Sequence, residues 1–285
     1  MSIVQEALKR AEQKRAAMRD VESNAAPAAA APAVSATATP RRRLPAARAV
    51  DLTESRKFRQ LTMDPARLEQ HHVLSTLTDR SAIRAYKILR TRIIQKLTGK
   101  ELWSVGITGT TPGEGKTLTA INLAMALARD VNTNVFLVDL DLQRPQINSY
   151  LGLRSDKGLA EYLEGSAGLD EIIYDVGVER LAVIPNARAV ENSSEALSSP
   201  RMLELVEALE SELPRRIIVY DLPPLTLSDD VIGFAPRLDG IALVVAEGMT
   251  ERAVLEGAKE ALADMNLLGI VLNRSRERND ASYYY

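Results

Sequence analysis

Cysteine is absent from the chain, which excludes disulfides, thiol catalysis and cysteine-ligated zinc and makes a cytoplasmic protein the simplest expectation. Histidine occurs only as the adjacent pair His71–His72, on no identifiable helix face, so the pair reads as structural or surface rather than as a metal site. There is no excess of positive charge: 36 Lys and Arg face 38 Asp and Glu, a formal net charge of -2. Without a domain-wide basic field to track phosphates, general nucleic-acid binding is excluded. Long apolar runs are also missing. Val135–Val138 and Ile241–Ala246 fall far short of the roughly 20 residues that span a bilayer. The N-terminus shows no basic-then-apolar signal, so no direct membrane span is expected and any membrane association is expected to come through a partner. A length of 285 residues accommodates one large domain or two ordinary ones.

What is present changes along the chain. Ser2 and Gln5 have the spacing of a capping box, and Ile3, Val4, Ala7, Leu8 and Ala11 follow at helical intervals, which predicts a short amphipathic helix within residues 1–22. A docking helix and a solvated terminal helix both suit its narrow apolar stripe. From Ser23 to Ala47 the composition collapses to Ala, Pro, Ser and Thr and includes Arg41-Arg42-Arg43. Such a segment buries too little surface to offset its ordering entropy and reads as a disordered linker. Residues 51–80 show no clear period, so 23–80 is treated as linker and poorly defined segment, with the domain proper over 81–275 and a tail at 276–285. Ser81–Gln95 predicts a helix with Ile83, Tyr86, Leu89 and Ile93 on one face and Arg84, Lys87, Arg90 and Arg92 on a basic face.

The stretch WSVGITGTTPGEGKT, Trp103 to Thr117, is a hydrophobic strand breaking into a Gly/Pro loop, followed by an Ala/Leu-rich helix over Leu118–Ala128. A phosphate-binding loop is built this way: successive backbone N–H groups curl round phosphate oxygens and the helix N-terminus adds its positive dipole end. Lys116 would reach the β/γ-phosphates, Thr117 would offer its hydroxyl to Mg²⁺, and the contacting run is Gly113, Glu114, Gly115, Lys116, Thr117 and Leu118. The strict pattern G-x-x-x-x-G-K-[ST] wants glycine where Thr110 stands, with Gly109 one residue earlier.

Downstream, strands and helices alternate: strands at 134–140, 181–185, 216–222, 239–247 and 268–273, and helices at 157–164, 199–213 and 250–265. This predicts an α/β fold, a P-loop NTPase with a mostly parallel central sheet and helices on both faces. Ligands in such sheets sit at the carboxyl ends of the strands. There the run NVFLVDLDLQRP places Asp139 and Asp141 two residues apart, so period-2 alternation would point both the same way, one toward hydrated Mg²⁺ and one toward a proton or hydroxyl. In the run IIVYDLPP the hydrophobic stretch is ended by Asp221, as in a Walker B element.

The set GTTPGEGKT (109–117), VFLVDLDLQRP (135–145) and IIVYDLPP (217–224) resembles the bacterial tyrosine kinases of exopolysaccharide synthesis, with their Walker A, A′ and B motifs. The likeness extends to SAIRAYKILRTRI (81–93), NSSEALSSPRM (192–202) and GIVLNRS (269–275). MinD/ParA-type ATPases look similar but carry a signature lysine where Thr111 stands, followed by glycine where Pro112 stands. The resemblance implies ATP as phosphoryl donor, Lys116 on its phosphates, Mg²⁺ held by Thr117 and Asp221 with support from Asp141, Asp139 as base, and Asn273 near the adenine. It implies the terminal Tyr283, Tyr284 and Tyr285 as phosphoacceptors in trans, and a separate membrane-embedded polysaccharide co-polymerase as activator, holding the kinase peripherally at the inner membrane. The family's subunit-linking E-x-x-R-x-x-R helix is altered: Arg84 replaces the acid, with Lys87 and Arg90 following, which argues against a closed ring built on that pairing. Leu222 likewise stands where the family more often has Ser or Thr. The alternative reading is a MinD/ParA-like ATPase acting as a nucleotide-switched localisation or scaffold protein.

Overall fold

The computed structural model describes residues 58–97, 104–131, 133–211 and 216–275. The helix expected within residues 1–22, the Ala/Pro-rich segment and the tyrosine tail lie outside the described residues. In chain order the elements are β1 (Arg59–Gln60), α1 (Pro65–Gln70), α2 (Arg80–Leu97), β2 (Ser104–Gly109), α3 (Lys116–Ala128), β3 (Asn134–Asp139), α4 (Ile147–Leu151), α5 (Leu159–Leu163), α6 (Leu169–Ile172), β4 (Tyr174–Asp175), β5 (Leu181–Ile184), α7 (Ser193–Leu197), α8 (Pro200–Ser211), β6 (Arg216–Asp221), α9 (Asp230–Phe234), β7 (Gly240–Ala246), α10 (Arg252–Ala261) and β8 (Leu267–Asn273). The described strands form one sheet in the order β1-β4-β5-β3-β6-β2-β7-β8. Every pairing is parallel except that of the short β4 with β5.

The central strands are continuous hydrophobic runs because both faces of the sheet are covered. Phe136, Val138, Ile218, Tyr220, Leu243 and Val245 alternate onto one face, where Met202, Leu205 and Leu209 of α8 and Val231 and Phe234 of α9 cover them. Val135, Leu137, Ile217, Val219, Ala242 and Val244 take the other, under Ile121, Leu123, Ala124 and Leu127 of α3 and Ile93 and Leu97 of α2. The alanines of α3 have no bulk to hold the helix off the sheet, and nearly all of its residues are buried. Leu222 is fully buried, and a Cβ at Gly106 would meet its Cδ1 at 2.6 Å. The leucine therefore fills space that a glycine on β2 leaves open.

The stretch without a sequence period proves to be part of this layer arrangement. The domain was expected from Ser81, but Phe58 is buried, β1 pairs with β4, and Asp64 caps α1 by accepting the Ala66 N–H at 2.9 Å. The buried Val73–Leu74 turn is fastened to α3, where Asn122 accepts the Leu74 N–H at 2.7 Å and donates to the His72 carbonyl at 3.2 Å. Elements of two and six residues are too short for a hydrophobic period to register.

One core position is poorly matched to its surroundings. The Tyr220 hydroxyl is buried, has no hydrogen-bond partner among the described residues, and is driven by burial above its ordinary pKa. Tyr220→Phe removes this unsatisfied group while keeping the edge-to-face contact with Phe234, ring centroids 5.3 Å apart. The substitution is expected to raise stability by about 1 kcal/mol, read as a higher midpoint in urea denaturation.

β2 leads through α3 to β3, which lies two places away in the sheet with β6 between them. This skip opens a crevice at the carboxyl ends of these strands, and the register of β3 on β6 sets Asp139 directly beside Asp221 there.

Candidate active site

The loop between β2 and α3 is held from within by its own glutamate. Glu114 is fully buried, and its carboxylate accepts the N–H groups of Thr110 at 2.6 Å and Thr111 at 2.9 Å together with the hydroxyls of Thr110 and Thr250. The side chain that the sequence placed among nucleotide contacts is thus committed to the loop's own architecture, and its backbone is left for a ligand. Thr110 explains its own departure from the glycine pattern, since its hydroxyl completes that network. Gly113 and Gly115 have φ of 87° and 90°, the left-handed region where a side chain is strained, and they let consecutive N–H groups form an anion-binding concavity. Lys116 and Thr117 open α3 as expected, and Leu118 follows them, packed partly against the core.

Lys116 is almost wholly enclosed. Its ammonium lies 2.7 Å from Asp141 Oδ2, 3.5 Å from Asp221 Oδ1 and 3.3 Å from the Thr117 hydroxyl. Burial disfavours the ammonium, but the Asp221 and Asp141 carboxylates outweigh it and hold Lys116 above its ordinary pKa. Asp139 is pushed well above the usual carboxylate range, first by complete burial and then by the neighbouring Asp221 charge. Its Oδ2 accepts the Gln146 and Ile147 N–H groups at the start of α4, each at 3.1 Å, and its Oδ1 accepts the Asp141 N–H at 3.3 Å. Asp221 is likewise raised by burial, against the pull of Lys116 and a hydrogen bond from Thr117. The structure therefore gathers Lys116, Thr117, Asp139, Asp141 and Asp221 at one point. β3 ends at Asp139, so Asp141 reaches the site from the following turn, whose Arg144 N–H it accepts at 3.1 Å, and not by strand alternation.

Asp221 Oδ2 is buried with no partner among the described residues, beside the Thr117 hydroxyl and the Asp141 carboxylate. Among those residues no three His, Cys, Asp or Glu side chains converge as a cage for a resident metal. One orphaned carboxylate oxygen with a nearby hydroxyl and a second acid is the donor set that suits Mg²⁺ arriving with phosphates, since that ion keeps most of its shell for water and substrate oxygens.

Asn273 is brought to the loop, but its amide donates to the Glu114 carbonyl at 2.8 Å. Sequence reasoning missed Thr250, Arg274 and Tyr150. Arg274 donates to the Gly113 carbonyl at 2.7 Å. Tyr150 of α4 stacks on His71 with centroids 4.4 Å apart, and burial and then the Asp221 charge raise its phenol. On α2, Arg84 and Lys87 are exposed, whereas Arg90 is tied to the Ala126 carbonyl of α3 at 3.3 Å.

Residues 105–284 match the CobQ/CobB/MinD/ParA nucleotide-binding domain. The tyrosine-protein kinase YwqD of Bacillus subtilis is 32% identical over 202 residues, covering 70% of this chain and 84% of that protein. The kinase domain of the Escherichia coli tyrosine kinase ETK shares the fold, with a TM-score of 0.65 and 24% identity over 78% of this chain and 98% of that one. The septum site-determining protein MinD of Pyrococcus horikoshii, complexed with Mg-ADP, aligns with a TM-score of 0.50 and 26% identity over 61% of this chain and 72% of its own. No described helix is long and apolar enough to cross a membrane. The chain belongs to the CobQ/CobB/MinD/ParA nucleotide-binding family and, within it, to the bacterial tyrosine-protein kinases.

Proposed function

We propose that the chain transfers the γ-phosphoryl group of ATP to Tyr283, Tyr284 and Tyr285 of another copy of itself, and that this governs the polymerisation or export of an exopolysaccharide. The observation that carries the reading is the single ammonium of Lys116 set among Asp139, Asp141 and Asp221 beneath a phosphate loop. The N–H groups of Gly113 to Thr117 cradle the phosphates, and Lys116 leaves its carboxylates to balance charge building on the β- and γ-oxygens. Thr117 and Asp221, supported by Asp141, would hold Mg²⁺, which when bound offsets phosphate charge and fixes the phosphoryl group in line. The tyrosine oxygen forms a bond to the γ-phosphorus as the bond to the β-bridging oxygen breaks, and the phenolic proton passes to Asp139. A carboxyl raised by burial is the better acceptor for a phenol with pKa about 10.

The activator in this scheme is a separate membrane-embedded co-polymerase, which would bring the kinase to the inner membrane from the cytoplasm. A mixing experiment tests the transfer. A Lys116→Met chain with an intact tail is combined with a chain whose three terminal tyrosines are Phe, in the presence of Mg-ATP and host membranes as source of the activator. Phosphotyrosine is expected on the first chain only. Absence of label there, with steady phosphate release from ATP, would instead support the localisation-ATPase reading.

A further inference from the structure

We propose that Asn273 and Arg274, at the end of β8, are positioning residues that aim the loop's N–H groups at phosphate. This rests on the nucleotide-binding reading and assigns the work to residues outside the loop. The described backbone has no cis peptide bond, so in each planar unit the carbonyl and the following N–H point in opposite directions. Three consecutive carbonyls of the loop are tied down. Gly113 C=O accepts from the Arg274 guanidinium at 2.7 Å, Glu114 C=O from the Asn273 amide at 2.8 Å, and Gly115 C=O from the Thr119 N–H at 2.9 Å and hydroxyl at 2.8 Å. The N–H groups of Glu114, Gly115 and Lys116 are thereby fixed the other way. Two of these three ties come from β8, more than 150 residues along the chain: the sequence separations are 161 and 159.

Local geometry is adapted to the arrangement. A Cβ at Gly115 would lie 2.1 Å from the Asn273 amide nitrogen, so that amide occupies room that only glycine leaves. Arg274 itself has φ of 56°, an uncommon conformation for a bulky residue; glycine there would relax the backbone but lose the guanidinium. With one of its two N–H bonds committed to the Glu114 carbonyl, the Asn273 amide is assigned to the triphosphate side of the ligand, where the family resemblance implies an adenine contact.

Binding of ATP to the full-length chain with Mg²⁺, and of inorganic tripolyphosphate in competition with it, distinguishes these roles. Asn273→Asp, which sets a carboxylate against a carbonyl, and Arg274→Ala are each expected to weaken both ligands by the same factor, roughly tenfold or more. Arg274→Lys should recover part of that loss, because a donor is restored at an exposed site. Weakening of ATP alone would assign Asn273 to the base and overturn the proposal, as would unchanged affinities in Asn273→Asp and Arg274→Ala. A wild-type chain that binds no ATP sinks the nucleotide reading itself, a result separate from either of these.

Discussion

Replacing Lys116 with Met is expected to cut phosphoryl transfer by at least a hundredfold, the usual scale for loss of a preorganised electrostatic contact. Among the described residues the ammonium is the one cation in hydrogen-bond contact with Asp141 and Asp221, at 2.7 and 3.5 Å, and both carboxylates are buried. Its removal acts twice, because the transferring phosphoryl group loses its counter-charge and the carboxylates lose theirs. Breaking a buried ion pair from one side costs on the order of 3–5 kcal/mol, less whatever the acids recover by taking up protons. The variant should therefore unfold at clearly lower urea than the wild type at pH 8, and the gap should narrow at pH 5. Labelled ATP and urea titrations at the two pH values check both effects. Retained transfer would remove Lys116 from the mechanism, and an unchanged midpoint at pH 8 would show that the cage does not depend on it.

The loop and its carboxylates were legible because the chemistry forces local patterns. A strand must be apolar on both faces between helices, so β2, β3, β6 and β7 fell within a residue or two of where their hydrophobic runs placed them, as did the edge strand β8. Asp139 and Asp221 were visible as acids ending such runs, and parallel register then brought them together. Other features had no local pattern. β4 is two residues long and antiparallel to β5, and nothing in Tyr174–Asp175 marks a strand. Glu114 reads as one of the nucleotide-contacting run until the fold brings Thr250 against its carboxylate, across 136 positions. Asn273 and Arg274 were recognisable as a strand end, but their grip on Gly113 and Glu114 depends on β8 adding beside β7, a fact of topology alone. Of the residues sequence reasoning missed, Thr250 and Arg274 hold the loop in shape from positions 136 and 161 residues away along the chain.

Asp139→Asn should abolish transfer and at the same time make the ligand-free protein more stable at pH 8. Asp139 and Asp221 are both held above the carboxyl pKa they have when unfolded, so the native state keeps protons that the unfolded chain releases. The stability this confers is complete below the unfolded carboxyl range and is lost as pH rises through the raised native values. At pH 8 the site thus carries carboxylate charge that Lys116 alone only partly offsets. An amide at position 139 takes one of these charges away, and its oxygen can still accept the Gln146 and Ile147 N–H groups that fix α4. The gain is expected to be about 1–3 kcal/mol at pH 8 and to shrink towards pH 5. Denaturant midpoints at the two pH values measure it, and labelled ATP measures the loss of transfer. A variant less stable than the wild type at pH 8 would mean that Asp139 is a structural acceptor whose charge the fold requires. Greater stability with transfer intact would keep the electrostatic account and move the proton acceptor to Asp141. The combination of lost transfer and added stability is what a buried catalytic base must give, because the charge that makes it basic is the charge the fold would be better without.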